Sequence, residues 1–211
     1  MVKWRCSTNK AVKNVKLFKI LKLRFLLWRA KYSLPGLLSR YEENKAVSIT
    51  AAINAALAIS TISIVAWLTD LPLLFPALGP STFILFTAPL SPAGAPRSLI
   101  LGHWICLVCG FGVWHLMSFL GGAPVHYDID GWPLYCSAAL ALALGSLLMV
   151  RLRCPHPPAC ASALVVALGA VTHWSDLAIM AGVVLWLAYQ AFAINRFWGI
   201  NVPAWSYRDK S

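Results

Sequence analysis

Acidic residues are scarce: seven Asp and Glu in 211 residues, none of them before Glu42. Charged residues of both signs amount to 12% and hydrophobic ones to 59%, where an ordinary soluble domain has about 25% and about 45–50%. So little charge excludes a disordered chain, a coiled coil or a nucleic-acid module for the bulk of the sequence. It also argues against a soluble enzyme, because that much apolar surface does not fit inside so small a sphere. No nucleotide-binding loop, nucleophile elbow or carboxylate pair is present, so there is no constellation for catalysis. The chain reads as a non-enzyme without a cofactor. Among the six cysteines only Cys136 falls near the expected outer face, so no external disulfide is expected.

The bulk of the chain is apolar. Residues 46–69 carry no charge, which is enough to span about 30 Å of hydrocarbon. Mean hydropathy is +0.69. The class is an all-α membrane protein. The formal charge of +11 is concentrated at one end, with twelve of the eighteen bases in residues 1–45. This gives a basic N-terminal arm (1–45), an apolar body (46–200) and a short tail (201–211). If 11–31 is helical, Leu17, Phe18, Leu21, Phe25 and Trp28 share an uncharged arc, with Lys13, Lys16, Lys19 and Lys22 outside it. Such a helix lies on a membrane surface and draws anionic lipid headgroups to its lysines. Pro35-Gly36 ends it. A transit peptide would also be basic, but this arm has few serines, which favours a bacterial inner membrane over an organelle membrane.

The body holds six hydrophobic segments: 46–69, 71–90, 98–120, 132–150, 157–172 and 177–195. The second opens Leu71-Pro72-Leu73-Leu74-Phe75-Pro76-Ala77-Leu78-Gly79-Pro80, which three prolines and a glycine keep from being a regular helix. A helix is expected to start at Pro80, where proline in a first turn is tolerated. The fifth opens Cys154-Pro155-His156-Pro157-Pro158, with the same logic. If all six cross and the N-terminus is cytoplasmic, Arg97, Arg151, Arg153, Arg196, Arg208 and Lys210 all fall inside, and Asp70, Asp128, Asp130 and Asp176 outside. Trp67, Trp132 and Trp174 then mark the outer interface and Trp198 the inner one. Each half reads long helix, Pro-broken short helix, long helix. The expected architecture is therefore two inverted three-helix repeats, each with a Pro-broken middle helix, as in some secondary transporters. Two kinked spanning helices without a site are the alternative.

Gly79-Pro80-Ser81, Ser91-Pro92-Ala93-Gly94-Ala95-Pro96-Arg97, Gly102-His103 and His156-Pro157-Pro158-Ala159-Cys160-Ala161, in that order, resemble the HPP family of integral membrane proteins, named for its His-Pro-Pro motif. The resemblance covers roughly residues 46–200. Members usually carry glycine where this chain has Cys160. The resemblance implies a small membrane transporter, usually described with four spans, and nitrite transport as in chloroplasts and cyanobacteria.

The residues themselves point to a small monovalent anion. A helix start offers free N–H groups and about half a positive charge, and two such ends facing one cavity hold an anion without a full charge in the bilayer. No Asp or Glu of the kind a cation pathway needs lies within the six segments. The candidate binding set is Gly79, Pro80, Ser81, Thr82, Arg97, His103, His156, Pro157, Pro158, Ala159 and Cys160. Ser81 and Thr82 either donate to the anion or cap their helix. His156 either carries a proton with the anion or braces the break. His103 is either a buried functional group or a packed one, and Arg97 an anion attractor or an anchor. Asn54 and Gln190 read as interhelical hydrogen bonders, and Ala51, Ala52, Ala55, Ala56, Ala141 and Gly145 as close-approach faces. Two other classes stay open. One is a non-transporting scaffold or sensor. The other is a metal-handling protein using His103, Cys106 and Cys109 or Cys154, His156 and Cys160; no resident metal is expected. The expected partners are a small inorganic anion, anionic lipids at the arm, no nucleic acid, and a second copy of the chain, as is common in bundles this small. Both termini are expected in the cytoplasm.

Overall fold

A computed structural model describes residues 19–28, 30, 31, 36, 38, 42–126, 128 and 131–207. Lys13, Lys16, Leu17, Phe18, Pro35, Asp130, Arg208 and Lys210 lie outside the described residues.

Among the described residues the regular structure is helical. The elements after the arm are α1 (Glu43–Thr69), α2 (Leu78–Thr87), a 3₁₀ turn (Pro92–Gly94), α3 (Pro96–Gly121), α4 (Trp132–Arg151), α5 (Ala159–Ala167) and α6 (Trp174–Phe197). Four of them, α1, α3, α4 and α6, are long and apolar enough to cross a bilayer. At about 1.5 Å per residue, α2 with ten residues and α5 with nine cover only about half the hydrocarbon depth. Each is preceded by irregular chain, 70–77 and 152–158.

Local chemistry sets these boundaries. Asp70 ends α1 in the left-handed conformation, and Pro72 and Pro76 keep the chain beyond it extended. The α2 helix starts at Leu78, two residues before the expected Pro80. Proline fits anywhere in a first turn, whose N–H groups have no intrahelical partner. Pro96 and Pro133 open α3 and α4 in the same way. Gly122, at φ 70°, closes α3.

Hydrogen bonds and ring contacts define the two ends of the bundle. At the arm end, Phe25 and Trp28 meet Phe197 and Trp198, with ring centroids 6.1 and 5.9 Å apart. Here Trp198 Nε1 donates to Asn54 Oδ1 (3.0 Å) and Arg97 N to Trp205 O (2.9 Å). Asn195 Nδ2 donates to Leu85 O of α2 (3.0 Å), and the Arg97 guanidinium to the carbonyls of Leu152 and Arg153. At the far end, Phe111 packs on Trp174 at 4.3 Å, Trp114 Nε1 donates to Val125 O, and Ser137 Oγ to Ala167 O of α5.

In lipid, helices are not driven together by the hydrophobic effect, and small residues and polar contacts do that work. The α3 helix is the central one: half of its apolar window is buried, against 22% for α1 and for α4. Gly110 lets α3 lie against α5, since a Cβ there would sit 2.6 Å from Ala163 O. The expected polar pairings form, with Thr61 Oγ1 donating to Gln190 Oε1 (2.6 Å) beside the Trp198–Asn54 bond. Of the proposed alanine face, Ala51 is buried and Ala55 half-buried, while Ala52 and Ala56 stay exposed and Ala58 takes their place.

Candidate functional site

The centre of the bundle is polar and closed. Pro80 sits in the first turn of α2, and the residue after it, Ser81, faces inside. Pro155 and Pro157 fix the backbone on either side of His156. Gly102 makes room for it, because a Cβ there would come 2.9 Å from His156 Cβ. One residue later, α3 presents His103. Ser81 Oγ then lies 3.0 Å from Nε2 of His103 and 3.0 Å from Nε2 of His156. The two rings are 5.2 Å apart. Their other nitrogens are also engaged: His103 Nδ1 is 2.7 Å from Ser162 Oγ of α5, and His156 Nδ1 is 2.8 Å from Ala93 O. Ser81, His103, His156 and Ser162 each have 0% exposure.

The carbonyl of Ala93 can only accept, so His156 carries a proton on Nδ1. Ser81 Oγ also lies 2.8 Å from Ala77 O, so its single hydrogen has more than one acceptor in reach.

The other expected residues fall around this cluster. Thr82 donates back to Gly79 O at 2.7 Å and serves its own helix. Gly79 and Pro80 are exposed. Gly79, Thr82 and Ser48 line a mostly apolar cavity of about 500 Å³ between α1 and α2. Arg97 and Arg153 line another, of about 480 Å³, with Pro155, Ser98, Ser206 and Tyr207. Pro157 is exposed, while Pro158 and Ala159 are buried. The thiol of Cys160 turns to Ser146 Oγ of α4 at 3.7 Å. The expected free amides are largely spent. Leu78 N and Ser81 N donate to Phe75 O and Ala77 O, and Ala159, Cys160 and Ala161 N to the carbonyls of His156, Pro157 and Pro158. Side chains, not bare helix-start amides, therefore make this centre polar. Among the described residues, no three His, Cys, Asp or Glu side chains gather closely enough to hold a metal.

Sequence reasoning missed Ser162 and the Ala93 carbonyl. The signal for Ser162 was a hydroxyl early in an apolar helix behind two prolines, the counterpart of Ser81 behind Pro80.

The order of these residues along the chain is that of a known family. The model of the HPP transmembrane region matches residues 41–203. The chain belongs to the HPP family. A transmembrane protein of Dictyostelium discoideum is 30% identical over 122 residues, covering 56% of this chain and 39% of that relative. The chain thus spans well under half the length of the curated relative it matches. No solved structure matches.

Proposed function

We propose that this HPP protein carries a small monovalent anion across a bilayer, with nitrite as the first candidate. One observation carries the reading: among the described residues the buried polar side chains are hydroxyls, amides and imidazoles, with no acid. A cation path at this depth needs carboxylates, whereas hydroxyls and imidazoles, which can donate hydrogen bonds, suit an anion.

The six-crossing, inverted-repeat architecture belongs to this proposal. Its support lies in the contacts. Segment 70–87 leaves α1 at the far end, and its Leu85 is bonded to Asn195 near the arm end. Segment 152–167 leaves α4 beside Arg97 and meets Ser137 at the far end. The two short helices thus start near each other at mid-depth and run opposite ways. On the positive-inside rule the arm end is cytoplasmic. Arg97 and Arg153 line a cavity there and gather anions, and rocking of one half against the other opens the Ser81–His156 centre in turn to each side. The bacterial inner membrane is the proposed location, anionic lipids are the partners of the arm, and a homo-oligomer is the proposed assembly.

The test is uptake of nitrite, nitrate, chloride and formate into liposomes holding the purified protein. Uptake of at least one anion is expected, falling tenfold or more in His156→Ala and severalfold in Arg97→Gln, with all three proteins equally folded by circular dichroism. The complete burial of the centre favours a second reading, a non-transporting scaffold. Uptake of none of the four anions by the wild type overturns the carrier and leaves the scaffold.

A further inference from the structure

We propose that Ser81, held between His103 and His156, forms a site for one proton, so that the proton is a second substrate carried with the anion. The hydrogens of the cluster can be counted one by one. His156 donates from Nδ1 to the Ala93 carbonyl, which has no proton to give back. With the pair neutral, His156 Nε2 is a bare lone pair facing Ser81 Oγ at 3.0 Å, and the Ser81 hydroxyl fills it. Ser81 then accepts from His103 Nε2–H, and Ser162 donates to His103 Nδ1. Every donor in the row points the same way, from Ser162 towards Ala93, and every one is used.

Now one proton is added to His156 Nε2. The ring donates to Ser81 Oγ instead of accepting from it. The Ser81 hydrogen turns to Ala77 O, already 2.8 Å away. Ser81 Oγ then accepts from both imidazoles and donates once, which uses its full capacity. The balance is simple: an N–H bond forms on His156, the proton comes from water, and no bond between heavy atoms changes. No heavy atom has to move. A second proton would have to go to the remaining bare nitrogen, His103 Nδ1, where it would turn the Ser162 bond round and set a second buried charge on a ring 5.2 Å from the first. The row ends on a carbonyl, so it stores a proton rather than conducting one.

The surroundings leave the charge to a mobile partner. Apart from the two histidines, the titratable side chains on the elements packed round the cluster are Arg97, Cys106 and Cys109 on α3, Tyr135, Cys136 and Arg151 on α4, Arg153 and Cys154 before His156, and Cys160 on α5. The α3 helix also carries His115, towards the far end. The α2 helix and the 92–94 turn carry none, and α6, behind α2, carries Tyr189, Arg196 and, in its first turn at the far end, Asp176. Among the described residues no acid stands beside the histidines to hold a permanent ion pair. A buried cation without a partner is costly, and a monovalent anion in the same centre cancels it. This coupling rests on the carrier reading; the proton site itself does not.

The experiment is ¹⁵N-histidine magnetic resonance of the full chain in lipid bilayers, across a pH titration. At neutral pH the expected pattern is a proton on Nδ1 of His156 and on Nε2 of His103. On acidification the pair takes up a single proton, at His156 Nε2. In Ser81→Ala, His103 loses its fixed tautomer and the His156 Nε2 resonance shifts. In Ser162→Ala, which leaves Ser81 in place and guards against misfolding of the first variant, only His103 changes. A His156 with its neutral proton on Nε2, two protons taken up together, or a His156 Nε2 signal indifferent to Ser81→Ala each overturns the site. If the resonance pattern holds but no anion is carried, the carrier reading falls and the proton site stands.

Discussion

The two short helices begin alike, behind prolines and at the same polar centre, but they are housed differently. Ala159, Ala163, Val166 and Ala167 of α5 have no exposed surface. The helix is wedged against α3 and α4, with Gly110 giving way to its backbone. In contrast, α2 leaves Phe83 65% exposed and borders the cavity that Gly79 and Thr82 share with α1. A Cβ on Gly79 would meet nothing within 4 Å. One helix is therefore a fixed wall of the site and the other has space beside it. A movement that opens the Ser81–His156 contact has room on the α2 side.

The contrast breaks hardest at Gly110. Gly110→Val places a branched side chain against Ala163 O and Val166 Cβ, 2.6 and 3.0 Å from the first added carbon. Backbone cannot retreat as a flexible side chain does, so the expected loss is about 1–3 kcal/mol, the range for an overpacked core. Thermal unfolding in detergent micelles measures it. An unfolding midpoint equal to wild type would mean that α5 is as loosely held as α2.

A smaller effect is expected at Asn195. Its Nδ2 donates to Leu85 O near the open end of α2, while its Oδ1 is buried without a partner among the described residues. Asn195→Leu removes one good bond and one unsatisfied atom together. It also leaves the buried Leu85 carbonyl without this donor, and residue 89, four further on, is a proline with no N–H to offer, so the expected loss is about 1 kcal/mol. Amide hydrogen exchange should rise in residues 82–87 and stay unchanged in 160–167. Equal rises in both helices would mean that they open as one unit, and the contrast between fixed and movable helix would fail.

Much of this is legible in the sequence, because lipid imposes strong rules. Uncharged runs of helical length mark α1, α3, α4 and α6, and the proline clusters mark both short helices. The start of α2 lies two residues before the one expected from Pro80, because a first turn accepts proline at any of its positions. The histidines and Ser81 belong to the candidate set, but their meeting is not derivable: three segments separated by 22 and 75 positions converge only through tertiary packing. Ser162 escapes notice for the same reason. Free amides are expected at the helix starts, but the proline-rich turns fold their own carbonyls back onto them. Hydrogen bonds that a loop makes with itself leave no periodic signal.

The smallest expected effect has the opposite sign and tests the open side directly. Gly79→Ala adds a carbon where nothing lies within 4 Å, at a helical position without positive φ. Replacing glycine by alanine inside a helix stabilises by roughly 0.5–1 kcal/mol, because less backbone freedom is lost on folding, but the residue before Pro80 is disfavoured in helical backbone once it has a Cβ, so only a small part of that gain is expected here. The gain should appear in the same unfolding assay that reads the loss at Gly110. A loss in place of the gain would mean that the cavity beside α2 is filled in the working protein, by lipid or by a second copy of the chain. The α2 helix would then be as tightly housed as α5, and the room for opening the polar centre would have to be found elsewhere.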